Sequence, residues 1–403
     1  MDKKQVIETT NNPVNLNYHP VAINNKIAFK GTAASIKNMP GVNALYDFIT
    51  NPKLKNFFIF PHIKPDVDAG ASALQISDLC KIKGKNAKIF TSNSIDNIKF
   101  LDSNNEIINI KKLERLRDSK GSITIEKLRE EFGVPDGIII TDASDIHRID
   151  EKIRKAFIDP LVKIIKEDPS NNNKKIAIVD HHIDKNDSYF DGINVIKLID
   201  PESESASQVA LQCFDKFGIN LDQQNSNRLL AGFYGDTQTG KYLKNPKTAE
   251  EDVKILSQKA DINYIKGQVN KITPEEAKAA LTFQKNTKVV DDIAYFVVDG
   301  DSKKLPETVN GINLALEEIS KRPDIKYYFC ISEIKDPQTG KIIEHTASLI
   351  SKDQPITEIS DKFSVAGHEY VTGFKVNGET TDSLTAKLIN EIKLLEQSHA
   401  HAA

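Results

Sequence analysis

The architecture follows from one segment of the sequence, Phe58-Ile59-Phe60-Pro61-His62-Ile63-Lys64-Pro65-Asp66-Val67-Asp68-Ala69-Gly70-Ala71-Ser72. Its apolar start predicts a buried strand that stops at Pro61, and an apolar helical pattern follows the two aspartates. The turn between them supplies the imidazole of His62 and the carboxylates of Asp66 and Asp68. Such a turn can direct three metal ligands at one point, but Asp and Pro also commonly cap the next helix. Both interpretations remain open from this segment alone.

The composition excludes several classes of protein. The 403 residues carry a formal net charge of -3, so the chain has no basic field for long nucleic acid, whereas a short anionic substrate is compatible with a metal site. No apolar run approaches the ~18 residues of a membrane span. No apolar segment follows the charged start of the chain. We therefore expect a soluble, cytoplasmic protein without a membrane partner, and a homodimer is compatible with the sequence.

The three cysteines, Cys80, Cys213 and Cys330, are odd in number and widely scattered. This pattern favours ordinary buried thiols over a disulfide or a metal role.

Alternating strand and helix patterns predict an α/β fold, with a mostly parallel sheet in the N-terminal domain and a smaller α/β C-terminal domain. We interpret residues 1–25 as a flexible segment and 26–262 as the first domain, with an insertion at about 92–135. A helical linker at 263–289 and a substrate-binding domain at 290–397 complete the prediction. Helical patterns are also predicted at 110–117, 124–132 and 150–166.

Further potential metal ligands occur where predicted strands end. Asp142 follows the strand predicted over 137–141, and His181 follows the strand over 175–179, while Asp236 ends a later helical pattern. In a parallel sheet the carboxyl ends of the strands share one edge, where ligands usually bind. Single residues of this kind are commonly helix caps or buried histidines. Together, however, they supply the oxygen and nitrogen ligands that two Mg- or Mn-type cations need.

In order and in strand context, these residues resemble the four motifs of the DHH phosphoesterase family. The motifs are His62-x-x-x-Asp66-x-Asp68, the strand-end Asp142, Asp180-His181-His182 and Gly235-Asp236-Thr237. The resemblance covers about residues 56–250 and implies a two-metal centre, usually with manganese, or else with magnesium or cobalt. Two extra residues, Gln238 and Thr239, separate the last motif from Gly240, but the ligand set is complete.

The resemblance implies a role for each motif residue. By position, one ion would be held by His62 and Asp66, the other by Asp68, His181 and Asp236, with Asp142 bridging both. His182 would contact the scissile phosphate or the leaving oxygen, and Asp180 would orient an adjacent imidazole. Arg148 is a substrate-binding candidate, because family members often carry an arginine shortly after the second motif. A surface arginine at a helix start is the alternative for Arg148.

The second domain resembles the C-terminal domain of the first DHH subgroup. The motifs that carry this resemblance are Ser348-Leu349-Ile350-Ser351 and Gly367-His368-x-x-Val371-Thr372-Gly373-Phe374. They make Ser348, Gly367 and His368 substrate-binding candidates. Relatives usually have a Gly-rich run where this chain has residues 364–366, and an arginine in place of Ile350. Glycine lets a backbone approach phosphate closely, and arginine binds phosphate with two hydrogen bonds, so both differences affect nucleotide binding.

The leading functional hypothesis is a metal-dependent hydrolase of small phosphorylated nucleotides or short oligonucleotides, which uses a water activated by two metal ions. Inorganic pyrophosphatase is one alternative. A non-catalytic nucleotide- or metal-sensing module is another, and the altered second domain motivates it. The acidic balance disfavours a processive exonuclease on single-stranded DNA, so no long nucleic acid is expected as a partner.

Overall fold

The computed structural model describes residues 40–168, 175–184, 188–241, 243–300, 306–336, 338–363 and 370–402. The chain divides into two compact units, Met1–Asn270 and Lys271–Ala403. The predicted flexible segment 1–25 and the candidates Gly367 and His368 lie outside the described residues. Among the helices of the described ranges, none combines the length and the apolar character that crossing a bilayer requires.

The first unit is built on a six-stranded parallel sheet, which confirms the predicted α/β fold. Its strands are β1 (Asn56–Pro61), β2 (Asn86–Thr91), β3 (Ile107–Asn109), β4 (Gly137–Thr141), β5 (Lys175–Asp180) and β6 (Val195–Ile199). They are ordered β3-β2-β1-β4-β5-β6, and every neighbouring pair is parallel. The carboxyl ends of β1, β4 and β5 therefore meet at one edge of the sheet.

Side chains of β1 alternate between two apolar cores, one on each face of the sheet. Phe57 and Ile59 belong to the first core, and Phe58 and Phe60 belong to the second. The first core includes residues of α1 (Pro40–Thr50), α2 (Val67–Ile82), α6 (Ala206–Phe217), α7 (Gln223–Asp236), α8 (Pro246–Leu256) and α9 (Ile262–Val269). The second includes residues of α3 (Ile125–Phe132), α4 (Glu151–Ile153) and α5 (Asp159–Glu167). Because both faces are covered, the central strands β1, β4 and β5 consist mostly of apolar residues.

The segment predicted as one helix over 150–166 contains a wider turn. Between α4 and α5 the chain forms a π-helical turn, Arg154–Ile158. Pro160 explains this turn, because proline has no N–H to donate to the carbonyl of Ala156 four residues earlier. Arg129 of α3 takes the place of that donor: its Nε donates to Ala156 O at 2.9 Å and its Nη2 to Lys155 O at 2.6 Å.

The α-helix predicted over 110–117 is wrong, because this segment forms two 3₁₀ turns, Ile110–Lys112 and Glu114–Leu116. The apolar residues explain the difference. Ile110, Leu113 and Leu116 are spaced by three and all contact the second core. A repeat of three residues per turn keeps them on one side, whereas an α-helix would rotate them away.

The second unit has a mixed five-stranded sheet. Its strands are β7 (Lys288–Val290), β8 (Ile293–Val298), β9 (Tyr327–Lys335), β10 (Ile342–Ser351) and β11 (Val371–Val376), in the order β11-β10-β9-β8-β7. β8 and β9 are parallel, and the other neighbouring pairs are antiparallel.

Two apolar clusters complete the second unit. One includes residues of α10 (Pro274–Lys285) and α11 (Pro306–Ser320), such as Phe283, which stacks on Phe296 with 5.3 Å between ring centroids. The other includes residues of α12 (Thr357–Lys362) and α13 (Thr381–Ala402) with Phe329 of β9. α10, which lies in the segment predicted as a linker, thus packs within the second unit, whereas α9 packs within the first.

Arg228 of α7 is among the largest fully buried side chains of the described residues, and it connects three parts of the first unit. Its Nη1 donates to Asp78 of α2 at 2.6 Å, and its Nη2 donates to Glu106 at 3.3 Å. Its Nε donates to the carbonyl of Leu101 at 3.1 Å. The guanidinium therefore ties α7 to α2 and to the segment between β2 and β3.

Replacing Arg228 with methionine should lower the free energy of unfolding by roughly 3 kcal/mol, because Asp78 and Glu106 lose their buried partner. Urea denaturation measures this difference. The matched control is Arg115→Met, which removes an exposed ion pair with Glu131 and should change the unfolding free energy by less than ~1 kcal/mol. Equal effects of the two substitutions would contradict a structural role for Arg228.

Candidate metal centre

Asp66 both caps α2 and faces a histidine. Its Oδ1 accepts a hydrogen bond from the backbone N–H of Ala69 at 3.0 Å, as expected of an N-cap residue. Its Oδ2 lies 3.5 Å from His62 Nε2. The two interpretations of this turn are therefore compatible, since one carboxylate serves the helix with one oxygen and directs the other at His62.

Asp142 lies between two histidines at the end of β4. Its Oδ2 is 3.4 Å from His62 Nε2, and its Oδ1 is 3.5 Å from His181 Nε2. The backbone of Asp142 has a φ of 54°, in the left-handed region that aspartate tolerates better than most residues. Its N–H donates to Val179 O at 2.9 Å, which fixes this conformation against β5.

Asp68, His181 and Asp236 form a second group of ligands. His181 Nε2 lies 3.0 Å from Asp236 Oδ2. Asp68 is fully buried, and its two oxygens accept the backbone N–H groups of Ala206 at 2.6 Å and Ser207 at 2.9 Å. These N–H groups belong to the first turn of α6, whose positive dipole end favours a carboxylate.

The absence of a side chain at Gly232 of α7 leaves room for the carboxylate of Asp68. A Cβ atom at this position would lie 2.6 Å from Asp68 Oδ1 and 2.0 Å from Ser207 Oγ. Only glycine therefore lets α7, which carries Asp236 at its end, approach Asp68 so closely.

All six predicted metal ligands come together at the edge of the sheet, and we call them the ligand cage. Potential ligand atoms lie within 4.8 Å of one another in three groups: His62, Asp66 and Asp142; Asp68, His181 and Asp236; and Asp142, Asp180, His181 and His182. Asp142 and His181 each belong to two groups. This arrangement suits two adjacent cations that share one carboxylate.

The chemistry of the cage fits divalent cations. His62 Nε2 and Asp142 Oδ1 are buried atoms for which the described structure provides no hydrogen-bond partner. Burial opposes protonation of the histidines, but the neighbouring carboxylates outweigh it and raise the pKa of His62 to about 9 and that of His181 to about 11. Burial, with the nearby charge of Asp236, also raises the pKa of Asp68 well above its usual range. The raised pKa values therefore indicate that bound protons balance negative charge in the cage, and divalent cations could take their place.

Asp180 and Arg148 flank the imidazole of His182. Asp180 Oδ1 lies 2.8 Å from His182 Nδ1 and also accepts the backbone N–H of His181 at 2.7 Å. Arg148 Nη1 lies 3.5 Å from His182 Nε2, so the structure brings this substrate-binding candidate to the cage. The His182 side chain is 44% exposed.

Ser348 lies in the second unit. It is half-buried on β10, where it pairs with Gly373 of β11. It points to the face of the sheet opposite Ala347 and Leu349, which are buried. Ile350, two residues further on the same face as Ser348, packs against the apolar cluster of α10 and α11.

Lys244 is a residue of this site that sequence reasoning missed. Its Nζ lies 3.4 Å from His181 Nδ1 and donates to the carbonyl of Ser203 at 2.9 Å. The buried carboxylate of Glu204 holds this segment by accepting the backbone N–H groups of Lys244 at 2.9 Å and Asn245 at 2.6 Å. No motif marks Lys244, because its position depends on Glu204, which is distant in sequence.

The first unit is thus an α/β domain with a cluster of histidines and aspartates at the carboxyl edge of its parallel sheet that could hold divalent cations. The sequence of residues 56–233, which lie within the first unit, matches the model of the DHH family, N-terminal domain. No curated protein matches the chain.

Among solved structures, an exopolyphosphatase-related protein from Bacteroides fragilis is similar to this chain. It has 16% identity and a TM-score of 0.63, with 89% of this chain and 97% of that chain covered. A putative family II inorganic pyrophosphatase from Methanococcus jannaschii has 15% identity and a TM-score of 0.38, with 81% and 95% covered. RecJ from Thermus thermophilus, in complex with Mn2+, has 10% identity and a TM-score of 0.45, with 90% and 55% covered. The first similarity supports the fold.

Metal binding should release about two protons per protein at pH 7.5, because the raised pKa values keep His62 and His181 protonated without metal. Lowering the pH should weaken binding, since protons then compete more strongly for both imidazoles. Titration calorimetry with Mn2+ in two buffers of different ionisation enthalpy measures the released protons. The exposed control His147→Gln should leave the number unchanged, whereas binding without proton release would contradict the displacement of protons from His62 and His181.

Proposed function

We propose that this protein is a phosphoesterase that uses two divalent cations, manganese in the first place, to hydrolyse small phosphorylated nucleotides or short oligonucleotides. The observation that carries the proposal is the position of Asp142, whose two oxygens face His62 and His181 at 3.4 and 3.5 Å. A carboxylate in this position can bridge two ions. When bound, such a pair supplies an activated water and neutralises charge on the phosphoryl oxygens.

We assign separate roles in metal binding and proton transfer to the residues of the cage and to His182. His62, Asp66 and Asp142 would hold one ion, and Asp68, His181 and Asp236 the other, with Asp142 shared. His182 is the proposed proton donor to the leaving oxygen, because Asp180 Oδ1 lies at its Nδ1 and the side chain is partly exposed.

Arg148 and Lys244 add positive charge on two sides of the cage. Arg148 lies beside His182 and is proposed to bind a phosphoryl oxygen. Lys244 lies beside His181. Both charges favour an anionic substrate, which is consistent with a phosphate ester. Ser348, Gly367 and His368 remain proposed substrate-binding residues of the second unit.

Asp142→Asn tests the bridging role. The substitution should abolish metal-dependent hydrolysis of the phosphate ester, a loss of several kcal/mol in transition-state stabilisation or roughly 10³-fold in rate. Asparagine keeps the shape of the side chain and tolerates the left-handed backbone of this position, so the fold should persist. The control Asp145→Asn, three residues further on, should retain activity. Undiminished turnover in Asp142→Asn would exclude the proposed mechanism.

A panel of phosphorylated compounds tests the substrate class. Hydrolysis should be measured with Mn2+ and with Mg2+, as released inorganic phosphate for adenosine 3',5'-bisphosphate, pyrophosphate and polyphosphate, and as released mononucleotide for linear and cyclic di-adenylates, short RNA and single-stranded DNA. We expect turnover of the small nucleotides or short RNA. Faster hydrolysis of pyrophosphate would favour the pyrophosphatase alternative. Tight nucleotide binding without turnover of any compound would favour a sensing module.

A further inference from the structure

The segment between β2 and β3 lies along the loop that joins His62 to Asp66. Asn93 Nδ2 donates a hydrogen bond to the carbonyl of Ile63. Asn97 Nδ2 donates to the carbonyl of Pro65 at 3.2 Å. Both acceptors lie between the two ligands, so the two amides support the ligand loop from outside the cage.

The amide of Asn93 has a fixed orientation. Its Oδ1 faces Lys111 Nζ at 3.5 Å, which leaves its Nδ2 directed at Ile63. The backbone carbonyl of Asn93 accepts a hydrogen bond from Asn109 Nδ2 at 2.6 Å, and Asn109 is buried at the end of β3. Asn93 is therefore hydrogen-bonded both to the end of β3 and to the loop that joins His62 to Asp66.

A third hydrogen bond holds the loop from the opposite direction. The backbone N–H of Ile63 donates to the carbonyl of Arg148 at 2.7 Å. Ile63 thus has both of its backbone polar groups bound, one by Asn93 and one by the segment after β4.

The same segment is anchored to α2 and α7, the helices that carry Asp68 and Asp236. Ile98 is fully buried and packs on Gly70 of α2, where a Cβ atom would lie 2.6 Å from Ile98 Cδ1. The carbonyl of Leu101 accepts the buried guanidinium of Arg228 in α7. Asn93 and Asn97 therefore project from a support that is fixed on α2 and α7.

We propose that Asn93 and Asn97 are positioning residues for the ion held by His62 and Asp66. They fix the carbonyls of the ligand loop and thereby hold His62 Nε2 and Asp66 Oδ2 at their separation of 3.5 Å, facing Asp142. The inference rests on the metal site of the proposed function but not on its catalytic step. It also gives the first part of the predicted insertion a purpose, since this part supports the cage.

The test measures Mn2+ binding to the whole protein without substrate, from the electron paramagnetic resonance signal of free Mn2+. Asn97→Ala and Asn93→Ala should each weaken one of the two bound ions ~10-fold, as expected when a group that supports a ligand is lost, and leave the other ion unchanged. The control Asn104→Ala removes an exposed amide of the same segment, whose hydrogen bond is to Glu106, and should change neither ion.

Two further backgrounds identify the half of the cage that is affected. Asp66→Asn keeps the helix cap but removes the charged ligand, so adding Asn97→Ala should have little further effect on metal binding. In Asp236→Asn the ~10-fold effect of Asn97→Ala should persist. Additive losses in the Asp66→Asn background would overturn the inference.

The unfolding of the metal-free variants separates positioning from general stability. Because Asn97 is exposed, Asn97→Ala should leave the urea midpoint of the metal-free protein unchanged while it weakens one ion. If Asn93→Ala does not fold, Asn97→Ala still decides the outcome. Equal weakening of both ions, or no weakening, would overturn the inference. A wild-type protein that binds two ions but hydrolyses no substrate would defeat the proposed function and leave this inference intact.

Discussion

The repulsion among closely spaced carboxylates, of which Asp68 and Asp142 are buried, is the constraint on which the site depends. Asp68, Asp142 and Asp236 converge on His181, and Asp142 also faces His62. In a medium of low polarity such a group is unstable unless positive charge balances it. Without metal, the balance comes from protonated histidines and from the first turn of α6, which donates two N–H groups to Asp68. A pair of divalent cations would replace the protons with a larger charge.

The parallel sheet brings the side chains of the cage together without long connecting loops. β1, β4 and β5 lie side by side, and each is followed directly by one or more residues of the cage. Their side chains meet because the strands end together, with no long loop to be ordered. α2 and α7 contribute Asp68 and Asp236 from the first core, where Gly232 permits their close approach. Core packing on one face of the sheet therefore sets distances within the cage.

Much of this was predictable from sequence, because strand ends and short motifs are local features. The α/β fold and the meeting of His62, Asp142 and His181 follow from apolar strands with polar residues at their ends. Other features depend on contacts between distant residues. The π turn after α4 follows from Pro160 but is completed by Arg129, and Lys244 reaches His181 through Glu204.

Over residues 110–117 the spacing of apolar residues fits a repeat of three residues per turn rather than the α-helical repeat that was predicted. Ile110, Leu113 and Leu116 repeat every three residues, which suits the 3₁₀ turns that form there. The support given by Asn93 and Asn97 had no sequence signal, because asparagine is common in loops and the acceptors are backbone carbonyls of another segment.

The carboxyl group of Asp66 takes part both in the start of α2 and in the cage. One of its oxygens starts α2 and the other faces the cage, so the rotation of a single side chain is set by the helix before any ion arrives. The entropic cost of ordering the Asp66 side chain is therefore part of folding and not of metal binding. An arriving ion meets an oxygen already in place. Any residue that replaced Asp66 would therefore have to serve both the start of α2 and the cage.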